Sequence, residues 1–143
     1  MSENWTEVIS EWKGETSFIA HNATGGMVQM GTVDGHPGIG PMQLLLAAIA
    51  GCTGGDIASI LEKKRQPLQD LKIRVRGNRA DTYPRIYTDI EVQFLIWGEV
   101  DSKAVEQAIQ LSEEKYCSVG AMLREAAHVT YSYQILKPGE TAE

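Results

Sequence analysis

The 143 residues are 43% hydrophobic and 22% charged, ordinary globular proportions that exclude a disordered, collagen-like or disulfide-dense chain and suit one domain with a proper core. The formal charge of −6, from 13 Lys+Arg against 19 Asp+Glu, argues against a surface that tracks phosphates, so nucleic acid is not an expected partner. The opening MSENWTEVIS has no basic segment leading into an apolar run, and the longest wholly apolar stretch, Leu44 to Ala50, is shorter than the roughly 18 residues of a membrane crossing. A cytoplasmic protein with no membrane partner is expected.

The first forty residues read as a meander of short strands, EVISEWKG, TSFIAHNA and GMVQMGTV, separated by breaks at Lys13-Gly14-Glu15 and Thr24-Gly25-Gly26. DGHPGIG, residues 34 to 40, is expected to be an exposed loop, and Pro41 suits the first turn of a helix. That helix should stop near Arg65-Gln66, because Pro67 disfavours helical geometry in the residue before it and the Lys63-Lys64-Arg65 cluster complements the helix dipole.

LKIRVRG, residues 71 to 77, alternates Leu71, Ile73 and Val75 with Lys72, Arg74 and Arg76 as a half-buried strand does. IYTDIEVQFLIWG follows, placing Ile86, Ile90, Val92, Phe94 and Ile96 on one face, and the two strands form an expected antiparallel hairpin. Asp101 is a candidate N-cap for the helical pattern of DSKAVEQAIQLSEEKY, SVGAMLREAA forms a second short helix, and HVTYSYQIL alternates as a last strand before a tail, KPGETAE, expected to fray. The order β-β-β-α-β-β-α-α-β, with strands in runs, points to an α+β fold with antiparallel or mixed sheets.

Chemistry concentrates at the two cysteines. Gly51, Gly54 and Gly55 surround Cys52 in an otherwise apolar helix and cost about 0.8 to 1 kcal/mol each relative to alanine. Such a cost implies close approach of another helix or of a ligand. Asp56 shares a helix face with Cys52, and Thr53 stands beside it, which suggests a wet edge; a carboxylate beside a thiol raises its pKa, so Asp56 is a candidate to orient rather than to activate. Cys117, at the junction of two helical patterns, falls at or near an N-cap, where unpaired N–H groups favour a thiolate. Read locally, both cysteines remain open as buried hydrophobes, ligands or redox groups. His21, His36 and His128 have no ligand-like spacing with them, so neither a metal nor another cofactor is expected. Tyr116, Tyr131 and Tyr133 read as packing residues, and Arg74, Arg76 and Arg79 as the solvated face of a strand.

The segments GPMQLLLAAIAGCTGGDIASILEKKRQPL, PRIYTDIEVQFLIWG, AVEQAIQLSEEKYCSVGAML and HVTYSYQI together resemble the OsmC/Ohr family, most closely its OsmC-like branch, over nearly the whole chain. The resemblance implies a single OsmC-like domain over 1–143 in an intertwined homodimer, with the β-meander of 1–40 exchanged with the partner chain and residues 41–143 forming the helix and sheet core. It also implies a thiol-dependent peroxidase or redox protein acting on organic hydroperoxides in oxidative-stress defence. Cys52 would be the peroxidatic residue, Cys117 the resolving one, and a dithiol the candidate reductant. The alternative is a non-catalytic dimer whose cysteines line a pocket for an apolar small molecule. Met27 and Met42 stand where the peroxidase branches carry an arginine and its glutamate partner, and Ser118-Val119 replaces the Pro-Tyr-like pair after the second cysteine. Loss of both charged partners is self-consistent, because neither is left buried and unpaired. Arg124, Arg79 and Arg85 are the candidate replacement cations.

Overall fold

The computed structural model describes residues 4–142. The chain divides into two compact units, the first ending at Leu45 and the second beginning at Leu46.

In the first unit, β1 (Ile9–Trp12), β2 (Phe18–His21) and β3 (Met27–Met30) form an antiparallel sheet in that order. A second pairing joins β4 (Thr32–Val33), the end of the expected third strand, to β5 (His36–Pro37), which falls in the stretch expected to be only a loop. Asp34 and Gly35 both take positive φ, 50° and 77°, as the two-residue turns favoured between twisted strands require. Every residue of β1 is exposed, and Trp5, Ile9 and Trp12 stand 86%, 59% and 67% exposed.

Helix α1 (Pro41–Lys63) starts at the predicted proline and ends two residues before the predicted stop. Arg65 adopts a left-handed conformation (φ 58°), and the Gln66 N–H returns to the Leu61 carbonyl at 2.9 Å, which satisfies a helix-end carbonyl before Pro67. Over its most apolar 18 residues α1 has a mean hydropathy of 1.8, sufficient by length and composition for a membrane crossing. Leu44 to Ala50 alone falls short of that measure; glycines and Ile57, Ile60 and Leu61 extend the apolar composition beyond it. Core helices of folded proteins meet the same measure, and 28% of this window is buried within the chain.

The second unit is built on β6 (Asp70–Arg79), β7 (Tyr87–Trp97) and β8 (His128–Leu136). β6 and β7 are the expected antiparallel pair, with Val75 opposite Val92, and β8 runs parallel to β7 with Tyr131 opposite Val92. The sheet is therefore mixed, and the fold is α+β as the element order predicts. The chain between β7 and β8 contains α2 (Ser102–Leu111), a π-helical turn over Ser112–Tyr116, and α3 (Ser118–Arg124). Asp101 occupies the N-cap position of α2 but makes no side-chain cap.

Ile57, Leu61, Ile90, Phe94, Ile96 and Val105 are fully buried, so period-two burial on β7 and helical periodicity on α1 and α2 both meet in the core. Ile86 departs from its expected face: it precedes β7 and is 47% exposed. A register shift at Asn78/Arg79 ends the regular ladder there. The tail is not frayed through residue 142. The Trp97 indole N–H donates to the Glu140 carbonyl at 2.6 Å, and Ala142 packs against Leu95, Trp97 and Leu136, giving the polar segment an apolar anchor.

Candidate functional site

Cys52 and Cys117 lie 65 positions apart in sequence and come together in the second unit, where the Cys52 side chain is near enough to the Cys117 thiol to help raise its pKa. Two neighbouring free thiols form the simplest arrangement able to exchange two electrons as a disulfide.

Cys52 projects from the middle of α1 and is partly accessible. Its surroundings revise the reading of the glycines. A Cβ at Gly54 would overlap Ile73 Cδ1, so the close approach there is made by strand β6 rather than by a helix or ligand. Gly51 and Gly55 face open space within the chain. Thr53 is fully buried, with its hydroxyl donating to the Ile49 carbonyl at 2.8 Å. It is a core residue, not a wet edge, because back-bonding to its own helix lets a hydroxyl be buried at no unpaired cost.

Cys117 takes the expected N-cap position of α3, its sulfur accepting from the Gly120 N–H at 3.2 Å. Its expected thiolate character is not found. Cys117 is 3% exposed, and burial, with the Cys52 thiol as hydrogen-bond partner next, pushes its pKa up to about 11 from 9.0; Asp56 adds to the rise, and only the Gly120 N–H opposes it. Desolvation of a charged sulfur outweighs one amide dipole.

Asp56 accepts from the buried Ser112 hydroxyl at 2.8 Å, and the Cys117 N–H donates to the Ser112 carbonyl at 2.8 Å to close the π turn. The carboxylate one turn beyond Cys52 is therefore hydrogen-bonded to the segment that carries Cys117. Beside it lies a cavity of about 350 Å³ lined by Asp56, Ser59, Ile60, Lys63, Lys64, Leu111 and Tyr116. Tyr116 is half exposed there, with Lys115 Nζ 5.2 Å from its ring centroid, and is not the packing residue its spacing suggests.

Of the three candidate cations, only Arg124 stands beside the thiols. A Cβ at Gly120 would lie 3.0 Å from Arg124 Nη1, 3.1 Å from Cys117 Sγ and 3.4 Å from the Tyr131 hydroxyl. Arg124 donates to the Glu113 carbonyl at 2.7 Å and to the Tyr131 hydroxyl at 3.1 Å. Arg79 and Arg85 instead latch the β6–β7 loop, donating to the carbonyls of Arg85 and Ala80. Tyr131 stacks on Phe94 with ring centroids 6.4 Å apart; burial raises its pKa and Arg124 opposes the rise. Sequence patterning places Tyr131 correctly in the sheet but misses its hydroxyl at the site, since period-two alternation does not distinguish a phenol that packs from one that also bonds. Met27 is 67% exposed at the start of β3, and Met42 is half-buried in the first turn of α1; both belong to the first unit. Among the described residues, no cluster of His, Cys, Asp or Glu could hold a metal ion.

The family model described as OsmC-like protein matches residues 33–132. The chain belongs to the OsmC-like family. It is 35% identical over 127 residues to the protein YhfA of Escherichia coli K12, an alignment covering 88% of this chain and 95% of that one. Among solved structures, a hypothetical protein from Aquifex aeolicus VF5 superposes with a TM-score of 0.85 at 38% identity, over 94% of this chain and 98% of that one. An organic hydroperoxide resistance protein OsmC from Legionella pneumophila shares the fold at a TM-score of 0.64 and 15% identity, over 94% and 99% of the two chains. The matched span contains both cysteines, Asp56, Ser112, Arg124 and Tyr131.

Proposed function

We propose that this OsmC-like protein is a thiol-dependent peroxidase or redox protein that reduces organic hydroperoxides through Cys52 and Cys117. The observation that carries this reading is the direct neighbourhood of the two thiols. Their unequal exposure supports the division of roles. Partly accessible Cys52 can meet a dissolved peroxide, whereas Cys117, 3% exposed and holding its proton, is suited to wait as the resolving thiol.

In the first step the Cys52 thiolate attacks the distal peroxide oxygen; an S–O bond forms, the O–O bond breaks, and the alkoxide leaves with a proton as alcohol. The Cys117 sulfur then attacks the Cys52 sulfenic acid as its own proton is lost; an S–S bond forms and water leaves. Capture by a neighbouring thiol precedes irreversible over-oxidation. A dithiol reductant returns the pair to two thiols and becomes a disulfide itself.

The exposed Trp5, Ile9 and Trp12 of the first unit support an intertwined homodimer in which residues 1–40 complete the partner chain. On α1, Ala47, Gly51, Gly55 and Ser59 recur every four residues along an exposed row, and such a row of small side chains lets a second α1 pack closely.

Stopped-flow oxidation of the reduced protein by cumene hydroperoxide tests the reading. The expected result is oxidation faster than that of free cysteine, with a Cys52–Cys117 disulfide in the product; a rate no faster, without that disulfide, overturns it. The cavity lined by Ile60, Leu111 and Tyr116 favours a second reading, a non-catalytic dimer binding an apolar molecule. That reading predicts that Cys52→Ser leaves ligand affinity intact.

A further inference from the structure

We propose that the π turn between α2 and α3 is held by two side-chain clamps, Asp56 through Ser112 and Arg124 through Glu113, and that these clamps set the alignment of Cys117 with Cys52. Asp56, Ser112 and Arg124 are then positioning residues. The inference rests on the reading of the two cysteines as a redox pair and adds to it the means by which the pair is aligned.

A π turn inserts one extra residue into a helical path and is uncommon because its hydrogen-bond geometry is strained. Relaxation to α geometry over Ser112–Tyr116 would shift the following chain by one residue, rotating it about 100° around the helix axis. Cys117, the next residue, would be carried away from Cys52. Something outside the turn must therefore hold it.

The first clamp comes from the helix that carries Cys52. Asp56 stands one turn beyond Cys52 on the same face, and it receives the hydroxyl of Ser112, the first residue of the π turn, at 2.8 Å. Ser112 is 1% exposed, so this hydrogen bond has little competition from water. Its carbonyl receives the Cys117 N–H at 2.8 Å. The path from Cys52 to Asp56, Ser112 and Cys117 thus runs through one helical turn and two short hydrogen bonds.

The second clamp ties the turn to the sheet. Arg124 donates in two directions, to the Glu113 carbonyl inside the π turn at 2.7 Å and to the Tyr131 hydroxyl at 3.1 Å. Tyr131 is fixed in turn by stacking, 5° from parallel, on fully buried Phe94. A planar guanidinium can serve two acceptors at divergent angles, which a single ammonium does less well. Gly120 leaves the room this requires, since a Cβ there would stand 3.0 Å from Arg124 Nη1 and 3.1 Å from Cys117 Sγ.

The test is disulfide closure in the full-length protein. Reduced wild type, Ser112→Ala, Arg124→Met and Arg124→Lys are equilibrated in glutathione redox buffers, the Cys52–Cys117 disulfide is quantified by mass spectrometry, and urea midpoints are recorded alongside. Ser112→Ala and Arg124→Met should each lower the effective concentration of the pair by about tenfold or more, since small misplacements of reacting groups carry large penalties. Arg124→Lys should restore little of it. Closure within twofold of wild type in either folded variant, or full rescue by lysine, overturns the proposal. If one variant fails to fold, the other decides. Because closure is driven by glutathione, lost peroxide reactivity with intact clamp effects would overturn the peroxidase reading alone, and clamp variants that close normally while wild type reduces peroxide would overturn the clamps alone.

Discussion

The two cysteine segments solve opposite structural problems. Cys52 sits inside a regular 23-residue helix whose backbone is satisfied by its own turns, and its partial exposure depends on what packs against α1. Cys117 sits where the helical path breaks, is buried, and depends on Ser112, Gly120 and the surrounding side chains for its placement. One thiol belongs to a continuous scaffold and the other to a joint, so substitutions around Cys52 should change access and packing, and those around Cys117 should change alignment and protonation.

The largest expected contrast is in reactivity toward an alkylating reagent. In the native protein at neutral pH, iodoacetamide should label Cys52 and leave Cys117 nearly untouched. A pKa of about 11 in place of 9.0 lowers the thiolate population of Cys117 by about a hundredfold relative to the unfolded chain, and burial slows it further. Peptide mapping after timed labelling, with and without urea, checks this. Equal native labelling of the two cysteines would erase the distinction between an accessible thiol and a sequestered one.

The scaffold side of this contrast was legible in the sequence, and the joint was not. Pro41 and Pro67 bracket α1, and alternation in LKIRVRG and IEVQFLIW marks the strands. A π turn has no comparable signature: DSKAVEQAIQLSEEKY reads as one continuous helix, because helical periodicity tolerates a single extra residue over so short a span. The charge state of Cys117 is hidden from the sequence for a related reason. An N-cap position is visible in sequence, whereas the burial that overrides it is a tertiary effect. Arg124 and Tyr131 are seven residues apart on different elements, and only the folded chain joins them.

The glycines of α1 give a contrast of intermediate size. Gly54→Ala places a methyl group against Ile73, and the resulting overpacking, typically about 1 to 3 kcal/mol, works against a gain of about 1 kcal/mol in helix propensity. Net destabilisation of up to about 2 kcal/mol is expected in urea unfolding. Gly51→Ala meets nothing within the chain, so it should preserve the fold while weakening self-association across the proposed α1 seam. Sedimentation over a dilution series separates the two effects. A Gly51→Ala protein that is more stable and associates like wild type would remove that helix row from the proposed dimer interface.

The smallest effect is in alkaline stability and returns to the joint. The folded state holds the Cys117 proton up to about pH 11, whereas the thiol ordinarily releases it near 9.0. As pH rises through that interval the unfolded chain ionises first and is favoured, so the contribution of this site to folding is fully present below the lower value and is lost toward the upper one. Tyr131 and Tyr87 also have raised pKa values in the folded state, so the bare slope of stability against pH does not isolate the cysteine. The difference between wild type and Cys117→Ser does: urea midpoints measured at about pH 8 and about pH 10 should fall more for wild type, because serine has no proton to lose in this range. Cys52→Ala sharpens the comparison further. Removing the hydrogen-bond partner that helps raise the Cys117 pKa should shrink that excess slope, whereas an unchanged slope would mean that burial alone keeps Cys117 protonated.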